Sequence, residues 1–136
     1  MGSLERAFTL LIVEDQALIA LNIEDAVKRI GACTIGCAAR LSEALILIET
    51  ACWDAALLDI RLAPDEMVYP VAERLQAKAV PFAFVTAWEG EIEARYCDVP
   101  VLRKPFGEAE LEACLRMLIG KMPHRAGEQV RSLGMN

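Results

Sequence analysis

The sequence is poor in the residues that nucleophilic and acid–base catalysis most often uses. His124 is the only histidine among 136 residues, and it lies in a polar C-terminal stretch. A Ser-His-Asp or Cys-His catalytic set therefore has almost no material to draw on. Cysteine occurs in an odd number and without a Cys-x-x-Cys pair, which does not suit a disulfide framework. We interpret the thiols as mostly buried in a reducing cytosol, with zinc binding by Cys33 and Cys37 as a weak alternative; the five cysteines are Cys33, Cys37, Cys52, Cys97 and Cys114.

Excess positive charge and long apolar runs are also missing. The chain has 14 lysines and arginines against 20 acidic residues, a net charge of -6, and no basic stripe. This balance argues against a nucleic-acid-binding surface. No apolar run approaches the length of a membrane span, and residues 1–6 lack the apolar region of a signal peptide. We therefore expect a cytoplasmic, single-domain protein that binds neither nucleic acid nor membranes.

Short apolar runs alternate with amphipathic stretches along the chain. The runs predict strands at residues 8–13, 32–37, 54–58, 82–85 and 99–102, the last an edge strand because it contains Pro100. The stretches predict helices at 16–30, 42–50, from Pro70 onwards, at 108–119 and, short and weak at best, at 89–96. The alternation predicts a flavodoxin-like (βα)5 α/β fold, a parallel five-stranded sheet in the order 2-1-3-4-5 with helices on both faces. The expected domain spans residues 7–120, followed by a polar tail at 121–136.

Local signals refine these elements. Ser42 can cap the second helix, and Gly31 suits the end of the first. Pro64 and its acidic neighbours predict a loop at 60–66. Apolar residues recur at helical spacing in the first helix, at Leu18, Leu21, Ile23, Val27 and Ile30. The last helix has an apolar face that we assign first to the core and second to a dimer contact, with Leu111, Leu115 and Leu118 on it.

Four predicted strands end on polar residues: Glu14-Asp15, Asp59, Thr86 and Lys104. Parallel strands place these ends at one edge of the sheet, where ligands bind in open α/β folds. Three carboxylates there repel one another, and a hard cation such as Mg²⁺ would relieve the repulsion. A carboxylate beside such a metal can act as a nucleophile and form an aspartyl phosphate. A threonine hydroxyl and a lysine ammonium can then hold the phosphoryl oxygens.

Each of these residues has an ordinary interpretation when taken alone. Glu14 and Asp15 suit the N-terminus of a helix, Asp59 suits a loop, and Lys104 suits a solvated surface. It is their joint order along the chain that favours a site.

That order resembles the receiver domain of bacterial response regulators in two-component signalling, over about residues 7 to 120. The resemblance implies that Asp59 accepts a phosphoryl group from a histidine kinase or a histidine phosphotransfer protein. It implies magnesium ligation by Asp15, Asp59 and the backbone carbonyl of Arg61, with Glu14 acting largely through water. Thr86 and Lys104 would contact the phosphoryl group, and the Lys104–Pro105 peptide would be cis.

A finer resemblance is to the single-domain receivers of alphaproteobacteria known by a Phe-Ala-Thr-Gly-Tyr motif. Here that motif reads Phe84-Val85-Thr86-Ala87-Trp88, so Ala87 keeps a small residue and Trp88 keeps an aromatic ring. Many receivers carry a switch aromatic three residues before the lysine, and here that position is Val101. We therefore take Thr86, Ala87, Trp88, Val101 and Pro105 as switch positions, with Trp88 assuming part of the readout. Arg61 occupies a position at which family members tune access of water to the phosphoryl group.

The function expected from these observations is a stand-alone receiver that signals through protein–protein contacts, because no output segment is evident after Gly120. It would be a phospho-accepting domain rather than an enzyme, catalysing only its own phosphorylation and dephosphorylation. Its partners would be the phosphodonor and a downstream protein, and it would be a monomer or a weak homodimer. A phosphorylation-independent binding module and a phosphate sink or shuttle are the alternatives. An aspartyl-phosphate phosphohydrolase and a flavodoxin fit less well, because Arg61 stands where the former has a second Asp and no phosphate-binding loop follows the first strand.

Overall fold

The computed structural model describes residues 4–121 and places five strands in one parallel sheet. Strands β1 to β5 cover Leu4–Val13, Gly31–Ala38, Ala55–Leu58, Phe82–Thr86 and Val101–Arg103. Helices α1 to α4 cover Ala17–Ile30, Leu41–Thr50, Tyr69–Ala77 and Glu108–Gly120. The strand order is β2-β1-β3-β4-β5, and every neighbouring pair is parallel. The predicted flavodoxin-like fold is therefore confirmed.

Alternation along the strands divides the core into two layers. Successive side chains of a strand point to opposite faces of a sheet. Leu10 and Ile12 of β1 accordingly pack with α1 and α4, whereas Leu11 and Val13 pack with α2 and α3. Every residue of β3 is buried, as expected for a central strand of a parallel sheet. Both faces of the sheet are thus covered, and its carboxyl edge is left for a site.

The connection between β4 and β5 holds one 3-10 turn, Ala94–Tyr96, in place of a fourth α-helix. This confirms the prediction of a short, weak element there, and it leaves four α-helices rather than five between residues 4 and 121. The ring of Tyr96 fills the space, with only 1% of its surface exposed. It stacks on Tyr69 at a centroid distance of 5.4 Å and meets Phe82 and Phe84 edge-on. Aromatic packing therefore closes the core where a helix is absent.

Helix ends and faces depart from the sequence prediction at two places. Ser42 lies inside α2 and does not cap it; Arg40 is the N-cap residue, and the Glu43 carboxylate accepts hydrogen bonds from the backbone N–H groups of Ala39 and Arg40. On α1, Ile23, Val27 and Ile30 are buried, but Leu18 and Leu21 are 70% and 51% exposed. The apolar face of α1 is thus narrower than its sequence spacing suggested.

The predicted loop at 60–66 contains a small antiparallel ribbon, so that prediction is wrong in part. Arg61–Leu62 pairs with Glu66–Met67. The backbone N–H of Val68 also donates to the carbonyl of Ile60 at 2.8 Å. The segment that follows β3 therefore returns to its starting point before α3 begins at Tyr69.

The cysteines correct a second expectation. Only Cys114 is buried and Cys33 is half-buried, whereas Cys37, Cys52 and Cys97 are exposed. Cys37 is exposed because β2 is an edge strand, and the other two lie in connections. No helix within residues 4–121 combines the length and the hydrophobicity of a membrane span. The predicted tail begins at Lys121, and residues 122–136 lie outside the described part of the chain.

Candidate functional site

Backbone hydrogen bonds continue just beyond the strands and fix the residues that follow them. The N–H of Glu14 donates to the carbonyl of Ala38, and the N–H of Asp59 donates to the carbonyl of Val13, each at 2.9 Å. The N–H of Lys104 donates to the carbonyl of Thr86 at 3.0 Å. The parallel register therefore delivers the polar residues to one edge of the sheet, as the sequence predicted.

Three carboxylates meet at this edge. Glu14, Asp15 and Asp59 each contribute an oxygen, and these atoms all lie within 4.8 Å of one another. Glu14 is 4% and Asp59 is 9% exposed, while Asp15 is half-buried. Asp15 accepts a hydrogen bond from the backbone N–H of Ala63, and Glu14 accepts one from the N–H of Gln16, both at 3.1 Å. The acids are thus held close together in a poorly solvated place, where like charges are costly.

The ammonium of Lys104 lies between two of these carboxylates. Its Nζ atom is 2.6 Å from Oε1 of Glu14 and 3.1 Å from Oδ2 of Asp59. Burial alone would lower the Lys104 pKa, but the hydrogen bonds to Glu14 and Asp59 and their negative charges outweigh it and raise the pKa. Burial raises the pKa of Glu14 despite the opposing hydrogen bonds from Lys104 and Gln16. Lys104 is therefore a fixed cation that neutralises part of the acidic cluster.

Thr86 and Trp88 form the next wall of the site. Thr86 is fully buried, and its hydroxyl oxygen accepts a hydrogen bond from the backbone N–H of Trp88 at 2.9 Å. No described residue accepts the proton of this hydroxyl, so it can donate to a ligand in the cleft. The guanidinium of Arg61 lies over the Trp88 ring at 5.7 Å, and Arg103 donates to the Trp88 carbonyl. Two arginines therefore hold Trp88 at the rim.

The remaining predicted residues divide into those at the site and one away from it. Ala87, Arg61 and Pro105 line the same cleft as Asp15, Asp59, Thr86 and Lys104, and the Lys104–Pro105 peptide is cis. The Arg61 side chain also forms an ion pair with Asp65 at 3.6 Å. Val101 begins β5, is 37% exposed and does not line the cleft. The structure thus brings together every predicted position except Val101.

The cleft has a volume of about 890 Å³ and reaches beyond the acidic cluster into a groove between α1 and α4. The sequence prediction missed this groove, whose apolar walls include Ile19, Ile23, Phe106 and Leu111. At its far end, Arg29 of α1 donates from Nε and Nη2 to one carboxylate oxygen of Glu108 at 3.0 and 2.8 Å. No local signal announces such a groove, because it arises from two helices that lie 79 residues apart in the chain.

The donor set defines what the cluster can hold. Three carboxylate oxygens without sulfur or imidazole suit a hard cation such as Mg²⁺, which takes one or two carboxylates and retains several waters. Within residues 4–121, this is the one group of acidic, cysteine or histidine residues close enough to share a metal ion. The zinc alternative at Cys33 and Cys37 therefore gains no support from the described residues.

Comparison with known proteins reveals similar structures. The chain resembles the solution structure of SdrG from Sphingomonas melonis Fr1, with 35% identity, a TM-score of 0.75, and coverage of 85% of this chain and 99% of that one. It resembles the receiver domain of the sensor histidine kinase PA1611 from Pseudomonas aeruginosa PAO1, with 28% identity, a TM-score of 0.72, and coverage of 85% of this chain and 99% of that one; that structure has a magnesium ion coordinated in its active site cleft. In fold it resembles the REC domain of the Erythrobacter litoralis response regulator PhyR, with 24% identity, a TM-score of 0.76, and coverage of 88% and 95%. No family model matches the chain, and no curated protein matches it in sequence.

Proposed function

This chain belongs to the receiver domain family of response regulators, and from that membership we propose that it is a phosphorylation-controlled signalling protein with Asp59 as its phosphoryl acceptor. The observation that carries the proposal is the position of Asp59. Its carboxylate lies at the carboxyl end of β3, shares a cluster with Glu14 and Asp15, and is 3.1 Å from the Lys104 ammonium. We further propose that residues 7–120 are the functional unit.

In the proposed reaction, a carboxylate oxygen of Asp59 attacks the phosphorus of a phosphohistidine on a kinase or phosphotransfer protein. An oxygen–phosphorus bond forms, the nitrogen–phosphorus bond breaks, and the electron pair returns to the imidazole, which takes up a proton. The product is an aspartyl phosphate. Phosphoryl transfer depends mainly on positioning and charge neutralisation, and both are properties of this edge of the sheet.

The residues present fit a magnesium ion. Asp15, Asp59 and the backbone carbonyl of Arg61 would hold it, and Glu14 would act largely through water. When bound, the ion would neutralise charge on the transferring phosphoryl oxygens. Lys104 would leave its present carboxylate partners for the phosphoryl group, since its raised pKa keeps it charged. The Thr86 hydroxyl, whose oxygen accepts from Trp88, would donate its proton to a phosphoryl oxygen.

Signalling would follow from the change at Thr86 and Trp88. Val101 occupies the place of the usual switch aromatic and does not line the cleft, and it has no ring that could respond to Thr86. Trp88 offers such a ring, because its backbone N–H donates to the Thr86 hydroxyl and its ring lies under the Arg61 guanidinium. Phosphorylation would then shift a pre-existing equilibrium of the surface formed by the 3-10 turn, β5 and α4, which a downstream protein would recognise.

The deciding experiment is intact mass measurement after incubation with Mg²⁺ and either acetyl phosphate or a cognate kinase. We expect one acid-stable, base-labile phosphoryl group on the native chain and none on Asp59→Asn. Asp65→Asn is the matched control, because that side chain is an exposed acid in the same connection and pairs only with Arg61 among the ion pairs described. Failure to label with either donor, together with absent magnesium binding, would leave a phosphorylation-independent binding module.

A further inference from the structure

The outer edge of β2 has no neighbouring strand within residues 4–121. The hydrogen bond from the Glu14 N–H to the Ala38 carbonyl, with the β1–β2 register, fixes which backbone groups face β1. Alternate residues of a strand direct their N–H and C=O groups to opposite sides. Thr34 and Gly36 therefore bond to β1, while the backbone groups of Cys33, Ile35 and Cys37 point outward at the open edge.

Nothing in β2 protects this edge. Soluble proteins guard edge strands with charges, prolines, bulges or very short strands. The eight residues of Gly31–Ala38 include no charge and no proline. The opposite edge is different: β5 has three residues, follows Pro100 and ends on Arg103. One edge of the sheet is guarded, whereas the other presents a row of backbone groups that no strand within residues 4–121 pairs with.

The exposed row is also self-complementary. The three residues with outward backbone groups, Cys33, Ile35 and Cys37, carry no charge, so a two-fold axis through this row would bring no like charges together. We propose that a second copy of this chain pairs with β2 in antiparallel fashion about a two-fold axis at Ile35. Ile35 then lies opposite the partner's Ile35, and Cys33 lies opposite the partner's Cys37. The three pairs supply about six backbone hydrogen bonds and join the two sheets.

The side chains around the seam permit this pairing. Cys33 and Ile35 are half-buried and Cys37 is exposed, so no described side chain covers the row completely. On the other face, Gly36 lies opposite the partner's Thr34, and the Trp53 ring fills the space above Gly36, where a Cβ atom would come within 2.3 Å of it. The seam is on the far side of β1 from β4 and β5, so it leaves the Thr86 and Lys104 side of the cleft open.

Sedimentation equilibrium of the full chain tests the dimer. Ile35→Pro removes the two N–H donors at the centre of the seam, yet an edge strand tolerates proline where the N–H faces outward. We expect it to raise the dimer dissociation constant roughly thirtyfold, whereas the control Ile35→Val leaves it unchanged. Ile35→Lys, which places two like charges opposite each other at the two-fold axis, should dissociate the dimer as well. A chain that is monomeric at millimolar concentration, or dimers unaffected by both variants, would overturn the proposal.

Cysteine cross-linking tests the register. Two variants are prepared, both with Cys52 and Cys97 replaced by Ser. The first keeps Cys33 and carries Cys37→Ser, and the second keeps Cys37 and carries Cys33→Ser, so that each has one thiol at the seam. Diamide oxidises two thiols to a disulfide and is itself reduced to the hydrazine. Paired residues lie about 5.5 Å apart between Cα atoms, within disulfide range, whereas the two copies of Cys33 are separated by roughly 13 Å along the strands.

We therefore expect covalent dimers only when the two chains are mixed. Equal cross-linking of the Cys37 chain by itself would indicate random collision and contradict the register. Asp59→Asn should dimerise like the native chain, because the seam does not involve Asp59. A native chain that dimerises but takes up no phosphoryl group would count against the proposed function alone.

Discussion

The backbone N–H of Trp88 donates a hydrogen bond to the hydroxyl oxygen of Thr86 over 2.9 Å. Thr86 is fully buried, so this bond satisfies a group that water cannot reach. We expect Thr86→Val to lower the free energy of unfolding by about 1–2 kcal/mol, because it leaves that N–H without its acceptor. Urea denaturation measures the change. Thr86→Ser, which keeps the hydroxyl, is the control; equal losses in both variants would assign the effect to packing instead.

Trp88 and Arg61 together cover one rim of the cleft. Trp88→Ala keeps the backbone bond to Thr86 but removes the ring that the Arg61 guanidinium contacts. We expect the aspartyl phosphate to hydrolyse about fivefold faster, since water reaches the cleft more easily and an interaction of about 1 kcal/mol is lost. The decay of the phosphorylated mass after removal of the donor measures this rate. Trp88→Phe should behave almost like the native chain, and unchanged hydrolysis and partner binding in Trp88→Ala would exclude a role for the ring.

Lys104 competes with any cation for the acidic cluster. Its ammonium is within 2.6 Å of Glu14 and 3.1 Å of Asp59. We expect Lys104→Met to bind Mg²⁺ roughly tenfold more tightly, because a like charge close to the ion is removed. Titration monitored by tryptophan fluorescence gives the dissociation constant. Lys104→Arg keeps the charge and should not gain affinity; a Lys104→Met variant with unchanged or weaker binding would refute the competition.

Glu14 makes stability depend on pH. Burial raises its pKa in the folded protein above the ordinary value of 4.5, so folding favours the protonated form. That contribution is fully present below pH 4.5 and is lost as the pH rises through the raised pKa. Glu14→Gln stays neutral, and we expect its stability relative to the native chain to increase from pH 4 to pH 8 without Mg²⁺. Chemical denaturation across this range measures the difference, and a constant difference would contradict the shift.

Gly36 and Gly120 differ in the space available for a side chain. A Cβ atom at Gly36 would lie 2.3 Å from the Trp53 ring, whereas one at Gly120 meets nothing within 4 Å. Gly36→Ala should therefore lower the free energy of unfolding by about 1–3 kcal/mol, because a rigid ring must move. Gly120→Ala, at the end of α4, should raise it by up to about 1 kcal/mol through helix propensity. Thermal unfolding of both variants checks the two signs.

The sequence was sufficient to predict the sheet because each strand is a separate apolar run, and a parallel sheet converts chain order into position. The same rule predicted the site, because five polar residues directly follow or end strands and must therefore meet at one edge of the sheet. They are Glu14, Asp15, Asp59, Thr86 and Lys104. Val101 differs, because the predicted strand began at residue 99, whereas β5 begins at Val101, which does not line the cleft.

Features that depend on tertiary packing were not predictable in this way. The ribbon between Arg61 and Met67 closes through a bond from Val68 to Ile60, which composition does not reveal. Ser42 suited a cap by residue type, but α2 begins at Leu41, and it is the Glu43 carboxylate that accepts from the N–H groups of Ala39 and Arg40. The exposure of Cys37 likewise follows from β2 being at the edge. In each case the outcome depended on the neighbouring elements of the fold and not on the secondary-structure propensity of the residue itself.

The ion pair between Lys104 and Glu14 joins residues 90 positions apart, and Lys104 reaches Asp59 across 45. A ribosome adds about 5–20 residues per second, so the Asp59 carboxylate is made roughly 2–9 seconds before the lysine that neutralises it. During that interval the nascent chain carries Glu14, Asp15 and Asp59 without the lysine that pairs with two of them in the folded protein. Of the strands within residues 4–121, β5 is the last to be synthesised, and the lysine that follows it completes the charge balance of the site.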